Sequence, residues 1–389
     1  MVNVTGYAYP WDYLDDAATF GALELGVDTV ALAANYHATR LVTPLHGRRR
    51  VLDVPHSAMY APIRPKKWRD LRLKPQQPAW LGLENSFNDA ARRFAAAGLP
   101  VLAWIVVAHE DDLGVANPDL TVRNAFGESY PYALCPAQDD VRAYASTLVA
   151  EVMATTEATG VVLEACGSFG VEHGSVHDKS DLAALNDPER QLLSVCFCDA
   201  CREGLADHDI DPGELASTVR AALAGPVESI ESVLGGELTA RVASYRSGLS
   251  SALRRELAEQ VRAARADATV SVHASASPWA TGSFPALGAV NDARELESVV
   301  ANCWNHATAE REIEGLAHHV GRFANLGAYV RADRVADSPA ETVEHFRHLG
   351  VSELHLYHLG LLNRLSRAVA EALVAACHRA GSTPAAYDS

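Results

Sequence analysis

Val2-Asn3-Val4-Thr5-Gly6-Tyr7-Ala8-Tyr9-Pro10-Trp11-Asp12 decides the fold. The run Val2–Tyr9 is rich in β-branched and aromatic residues and stops at a proline, so it reads as a strand. The turn after this strand separates two architectures. An open doubly wound sheet that binds a nucleotide carries a Gly-rich phosphate turn after its first strand, and Tyr9-Pro10-Trp11-Asp12 contains no glycine. A closed barrel needs only a crown of functional side chains at the strand end, and Trp11 and Asp12 supply one.

Outward from this stretch, short apolar runs alternate with helical periodicity. The predicted strands continue with Thr29–Ala34, Val101–Ala108, Gly160–Ala165, Thr269–His273, Val299–Trp304, Leu326–Val330 and Glu353–Tyr357. Between and after them fall predicted helices Asp15–Leu25, Glu84–Ala97 with Gly98 as its C-cap, Asp139–Thr156, Leu249–Ala264, Ala309–Phe323, Pro339–Leu349 and Leu361–Arg379. Strands this apolar are covered on both faces. Eight strand–helix alternations fit an α/β fold, a (β/α)8 TIM barrel, better than an open sheet. Residues 1–389 are read as one barrel domain, with 166–265 as a Cys-rich and helical insertion after the fourth strand. Barrels reach this length through insertions. The sequence shows no internal repeat and no low-complexity linker.

Composition narrows the partners. With 48% hydrophobic and 21% charged residues, the chain can bury a large core. A formal charge of −16 argues against general nucleic-acid binding, which needs clustered Lys and Arg. The short basic run His46-Gly47-Arg48-Arg49-Arg50 is an anion site or, more simply, a solvated loop. There is no charged-then-apolar leader and no run of about 20 apolar residues, so neither a secretory signal nor a membrane span is expected. The odd count of seven cysteines, in metal-like spacings, adds to a cytoplasmic expectation.

In a barrel the residues just past the strand ends face the substrate. Here they are Trp11 and Asp12, then Tyr36, His37 and Arg40, then His109 and Glu110. Glu164 closes the fourth strand and His273 the fifth. Trp304 and Asn305, Arg331 and Asp333, and Tyr357 and His358 come after the last three. Rings beside carboxylates, His and Arg suit a small carbohydrate, stacking on C–H faces while polar groups take the hydroxyls. Glu164 stands out because Gly160-Val161-Val162-Leu163 offers it no neighbouring cation. Desolvation should raise its pKa and suit general acid catalysis. The plainer alternative pairs it with Arg40 or Arg331. Downstream, His173 and His177 in Glu172-His173-Gly174-Ser175-Val176-His177-Asp178 are read as substrate contacts, divalent-cation ligands or an ordinary polar loop.

Cys196-Phe197-Cys198-Asp199-Ala200-Cys201 places three thiols within six residues, enough to wrap a soft tetrahedral cation. Zinc is the usual occupant, with Cys135 or Cys166 as fourth ligand. Three reduced thiols at a helix start are the alternative. A four-thiolate site is closed and therefore structural.

At this cluster the chain resembles family 42 glycoside hydrolases, which are β-galactosidases and carry a C-x-C-x-x-C cluster after the fourth barrel strand. Their fourth zinc-binding cysteine comes from an earlier Cys-Pro segment leading into a helix. Leu134-Cys135-Pro136-Ala137-Gln138-Asp139 resembles that segment, so the likeness implies Cys135 rather than Cys166. It covers roughly residues 130–205. The family's acid/base Glu ends the fourth strand, matching Glu164, although the family's Asn-Glu is Leu163-Glu164 here. Its nucleophilic Glu after the seventh strand has no counterpart in Tyr329-Val330-Arg331-Ala332-Asp333. The chain also resembles other glycosyl hydrolase-like barrel proteins.

The leading expectation is a glycoside hydrolase-like enzyme acting on a small sugar or glycoside. Glu164 would be the acid, and Asp333, Glu110 or Asp12 the second carboxylate. Another class is a metal-dependent sugar isomerase, epimerase or lyase, with Glu164, His173, His177 and Asp178 around a cation. A third is a non-catalytic carbohydrate-binding barrel. No organic cofactor is expected, and the insertion could support a homo-oligomer.

Overall fold

The computed structural model describes residues 2–14, 21–172, 179, 183–288, 290–335 and 338–379. Eight strands form its centre: β1 (Asn3–Ala8), β2 (Thr29–Tyr36), β3 (Val101–Val106), β4 (Gly160–Glu164), β5 (Thr269–His273), β6 (Ser298–Asn302), β7 (Asn325–Arg331) and β8 (Glu353–Tyr357). Each pairs in parallel with the next, and β8 returns to β1 with Asn3 opposite Glu353, closing the barrel. The β3 and β4 sequences are buried throughout, as parallel strands beneath helices require.

The principal helices are α1 (Ser86–Ala96), α2 (Asp139–Thr155), α3 (Gly236–Ala264), α4 (His306–Val320), α5 (Pro339–His348) and α6 (Arg364–Arg379). Behind α1, Gly98 adopts φ 82° while its amide donates to Ala95, the left-handed cap expected there. The helix expected over 15–25 lies largely outside the described residues. Four short helices, Asp187–Leu193, Asp199–Asp207, Pro212–Ala222 and Ile230–Leu234, precede α3 between β4 and β5.

Two differences from the sequence expectation are instructive. Helix α3 begins at Gly236 rather than Leu249, because its buried stripe runs through Thr239, Val242, Arg246, Ser250 and Arg254. Polar residues on the inner face broke the apolar pattern. Arg246 donates to the Ser194 carbonyl at 2.8 Å and Arg254 to that of Ala286 at 2.8 Å, satisfying loop carbonyls from inside the protein. The basic run at 46–50, read as an anion site or a solvated loop, lies between the strands of an antiparallel ribbon of Thr39–Val42 with Val51–Val54. A second ribbon, Thr121–Arg123 with Ser129–Leu134, comes after β3. Strand β2 itself reaches Tyr36, where Ala58–Met59 pairs against its end.

Candidate active site

Tyr7 shows that the barrel interior is polar and aromatic rather than filled by branched aliphatics. Its ring lies 5.0 Å from Trp104 of β3, 5.6 Å from His273 of β5 and 4.8 Å from Tyr329 of β7. None of those strands neighbours β1, so the rings meet across the barrel axis. Above them, Tyr9 donates to the Tyr36 hydroxyl at 3.0 Å and lies 3.3 Å from that of Tyr357.

Glu164 ends β4 at this wall and is 7% exposed. Trp104 Nε1 donates to its Oε2 at 2.8 Å, and His273 Nδ1 stands 3.5 Å from the same oxygen. Burial pushes the Glu164 pKa up to about 7, partly offset by hydrogen bonds from Ser283 and Trp104. Neither expected guanidinium reaches it: Arg40 pairs with Asp53 at 3.3 Å and Arg331 with Asp333 at 2.7 Å. Ala165, the next residue, takes a left-handed φ of 54°. Its amide donates to Ser283 and its carbonyl accepts from Ala108. A conformation costing about 1 kcal/mol for a non-glycine residue is thus held from both sides, beside the acid.

The other candidate acids have distinct surroundings. Glu110 is buried, accepts from Asn35 at 2.9 Å and Tyr144 at 2.7 Å, and is pushed by burial to about 7. Asp12 is buried with neither oxygen hydrogen-bonded, and burial raises it to about 8 despite the Arg49 charge. Asp333 is half-exposed, and the Arg331 guanidinium holds it below the usual carboxylate range.

Of the predicted contact residues, Trp304, Arg331 and Tyr357 are half-buried and adjoin one another. Arg331 lies over the Trp304 ring at 5.3 Å, and Trp304 is 5.0 Å from Tyr357. His37 stacks between Tyr36 and His109, at 4.2 Å from each. Trp11, Tyr36, His109, His273 and His358 are buried. Trp11 stacks on Tyr9 at 4.4 Å, and burial lowers the His358 pKa to about 3. The Asn305 side chain caps α4 by accepting from Ala307 at 3.1 Å. His46 accepts from the Arg48 and Arg49 amides, shaping the turn of the basic run. His173, His177 and Asp178 lie outside the described residues.

Sequence reasoning missed Tyr7, Trp104, Tyr329, His355 and Glu353, all inside strands. One signal was available: β8 reads Glu-Leu-His-Leu-Tyr, a polar residue at every second position, so one of its faces meets polar company.

The thiol cluster assembles from two segments. Cys135 succeeds the Ser129–Leu134 strand, and Cys196, Cys198 and Cys201 surround the start of Asp199–Asp207. The four sulfurs lie within 4.8 Å of one another, with Cys135 Sγ at 3.4, 3.8 and 3.6 Å from those of Cys201, Cys196 and Cys198. Tetrahedral thiolates about 2.3 Å from a cation stand about 3.8 Å apart, so the cluster could hold a metal ion. The amides of Arg123 and Cys198 donate to Cys196 Sγ at 3.4 Å each, as thiolate ligands prefer. Cys166 is buried apart from the cluster, which removes it as fourth ligand.

No protein-family model matches the chain, and no curated protein matches it. Solved structures do. α-L-Fucosidase isoenzyme 2 from Paenibacillus thiaminolyticus superposes with a TM-score of 0.59 at 11% identity, over 98% of this chain and 50% of that one. The PgaB glycoside hydrolase domain from Bordetella bronchiseptica gives 0.57 at 14% identity, over 96% of this chain and 99% of that one. β-Galactosidase from Marinomonas ef1 gives 0.55 at 9% identity, over 96% of this chain and 59% of that one. The likeness shows the fold. The chain shares its barrel fold with these glycoside hydrolases, brings four cysteines together, and spans about half the fucosidase's length. No helix among the described residues is long and apolar enough to cross a membrane.

Proposed function

We propose that the chain is a glycoside hydrolase-like enzyme acting on a small sugar or glycoside, with Glu164 as general acid. The observation that carries this reading is a carboxyl at the end of β4, buried, paired with an indole rather than a cation, and raised to about 7. Such a group still holds its proton near neutrality and can give it to a leaving oxygen. Among the three candidates for a second carboxylate, Glu110 and Asp12 are raised and uncharged over most of the acidic range, whereas Asp333 is held ionised by Arg331. Asp333 is therefore the group suited to act on the sugar as nucleophile or base. Trp304 and Tyr357 offer apolar faces for a pyranose ring, and Arg331 donors for its hydroxyls.

Zinc is the proposed occupant of Cys135, Cys196, Cys198 and Cys201. When bound, it clamps two segments as a closed structural site and leaves no open position for substrate. The barrel and this cluster are read together as one domain.

The test is Glu164→Gln assayed on aryl glycosides. Turnover should fall about 10²- to 10⁴-fold with ligand binding preserved. Full activity in the variant would overturn the assignment, and binding without turnover in either protein would leave a carbohydrate-binding barrel instead.

A further inference from the structure

A column of polar groups descends from the mouth to the floor of the barrel. Glu164 Oε2 stands 3.5 Å from His273 Nδ1. His273 Nε2 lies 2.8 Å from the Tyr7 hydroxyl, which lies 3.0 Å from His355 Nδ1. His355 Nε2 lies 3.2 Å from Glu353 Oε2. Glu353 is the first residue of β8 and Glu164 the last of β4, so the two carboxyls occupy opposite ends of a parallel barrel. Tyr7, His273 and His355 are 0% exposed, with the Phe284 ring stacked on His273 at 4.5 Å and an interplanar angle of 3°. Gly327 of β7 makes room for this path: a Cβ there would stand 2.9 Å from His355 Nε2.

Donor accounting gives the column a direction. Glu353 accepts from Asn325 at 2.8 Å and, as a carboxylate, accepts from His355 Nε2–H. With His355 neutral, its Nδ1 is then a lone pair and accepts the Tyr7 proton, whereas a doubly protonated His355 would reverse every bond in the column. The hydroxyl has only that one hydrogen, so its oxygen accepts from His273 Nε2–H. His273 Nδ1, left with a lone pair and without a hydrogen-bond partner, lies 3.5 Å from Glu164 Oε2, where a protonated carboxyl suits it better than an ionised one. We infer that Tyr7, His273, His355 and Glu353 are positioning residues that keep the proton on Glu164, through a hydrogen-bonded column that runs from Glu353 to His273 and ends 3.5 Å from the Glu164 carboxyl. Once the Glu164 carboxyl turns to close the 3.5 Å gap to hydrogen-bond distance, the proton can also be relayed downward. Glu164 gives its hydrogen to His273 Nδ1, Nε2–H passes to Tyr7, the Tyr7 hydrogen to His355 Nδ1 and Nε2–H to Glu353. The net change is one proton moved from Glu164 to Glu353, with every intermediate group neutral before and after. Other titratable groups facing the column are the hydroxyls of Tyr36, Tyr329 and Tyr357 beside Glu164, and Glu297 across Asn325 from Glu353.

The inference deepens the reading of Glu164 as an acid, but its test does not depend on turnover. In ¹⁵N-histidine spectra of the intact protein at pH 6, both His273 and His355 should carry hydrogen on Nε2. Hydrogen on Nδ1 of either overturns the column. A ¹³C-glutamate titration then tracks Glu164 directly. Glu353→Gln removes the obligate acceptor and can donate in its place, so the column can reverse, and the Glu164 midpoint should fall by about one pH unit. In a Tyr7→Phe background, which removes one oxygen from a packed ring, the same substitution should leave the midpoint unmoved. An unchanged midpoint in Glu353→Gln, or an equal shift with and without Tyr7, refutes the relay. If Glu164→Gln keeps its turnover, the hydrolase reading fails while these spectra still decide the column.

Discussion

Trp104 and burial act on Glu164 in opposite directions. An indole N–H at 2.8 Å favours the ionised carboxyl, whereas desolvation favours the protonated one and prevails. Trp104→Phe removes the donor and keeps most of the ring volume. The Glu164 midpoint should then rise by about one unit, since a hydrogen bond to a charged group is worth about 1.5–3 kcal/mol. The acid is active when protonated, so the falling, high-pH limb of the kcat/KM profile should move upward. A limb that stays near pH 7 would mean that the indole does not tune the acid. At Asp333, exchange to Asn removes the one ionised candidate. It should lower kcat at least 10²-fold with little change in the high-pH limb, which separates its role from that of Glu164.

Between β4 and β5 polar ties add to an apolar packing that buries Leu192, Leu205, Leu215, Val219 and Val242. The four thiols join the Ser129–Leu134 strand to the start of Asp199–Asp207. Cys198→Ser should abolish the single equivalent of metal measured by mass spectrometry of the digested protein, and lower the melting temperature by several degrees. Normal metal content in that variant would remove the cluster as the binding site. Farther along, the buried Arg246 spends a guanidinium N–H on the Ser194 carbonyl. Arg246→Ala leaves that carbonyl without its donor and removes a packed stem, so a loss of about 2–4 kcal/mol is expected in urea unfolding. A loss below about 0.5 kcal/mol would mean that the segment is anchored elsewhere.

Across the whole molecule, three buried carboxyls share one pH response. Glu164 and Glu110 titrate at about 7 and Asp12 at about 8, against about 4 in an unfolded chain. All three are raised on folding, so the native state holds protons that the unfolded state releases. Their contribution is complete below pH 4 and is lost as pH rises through 7 and 8. Glu353 is shifted the other way, and its contribution is lost only as pH falls below the ordinary carboxylate range. The protein should therefore melt at a clearly lower temperature at pH 8.5 than at pH 5.5, and Glu110→Gln should reduce that difference. Equal melting temperatures would show that these acids are hydrated and ordinary.

Periodicity alone identified every barrel strand to within two residues at each end, because an apolar run covered on both faces leaves a local mark. The thiol spacing of Cys196, Cys198 and Cys201 was equally local, since three ligands on one turn need only each other. Glu164 was legible because its strand offered it no partner. The alliances of side chains that meet across the axis were not. Tyr7 and His355 are 348 positions apart and touch only because the sheet closes on itself. Nothing in the local sequence of Arg246 and Arg254 marks the loop carbonyls of Ser194 and Ala286 that accept from them inside the protein. Local patterning records which face of a segment is dry. Only closure of the barrel decides which polar groups share that dry space, and therefore which of them can keep a proton.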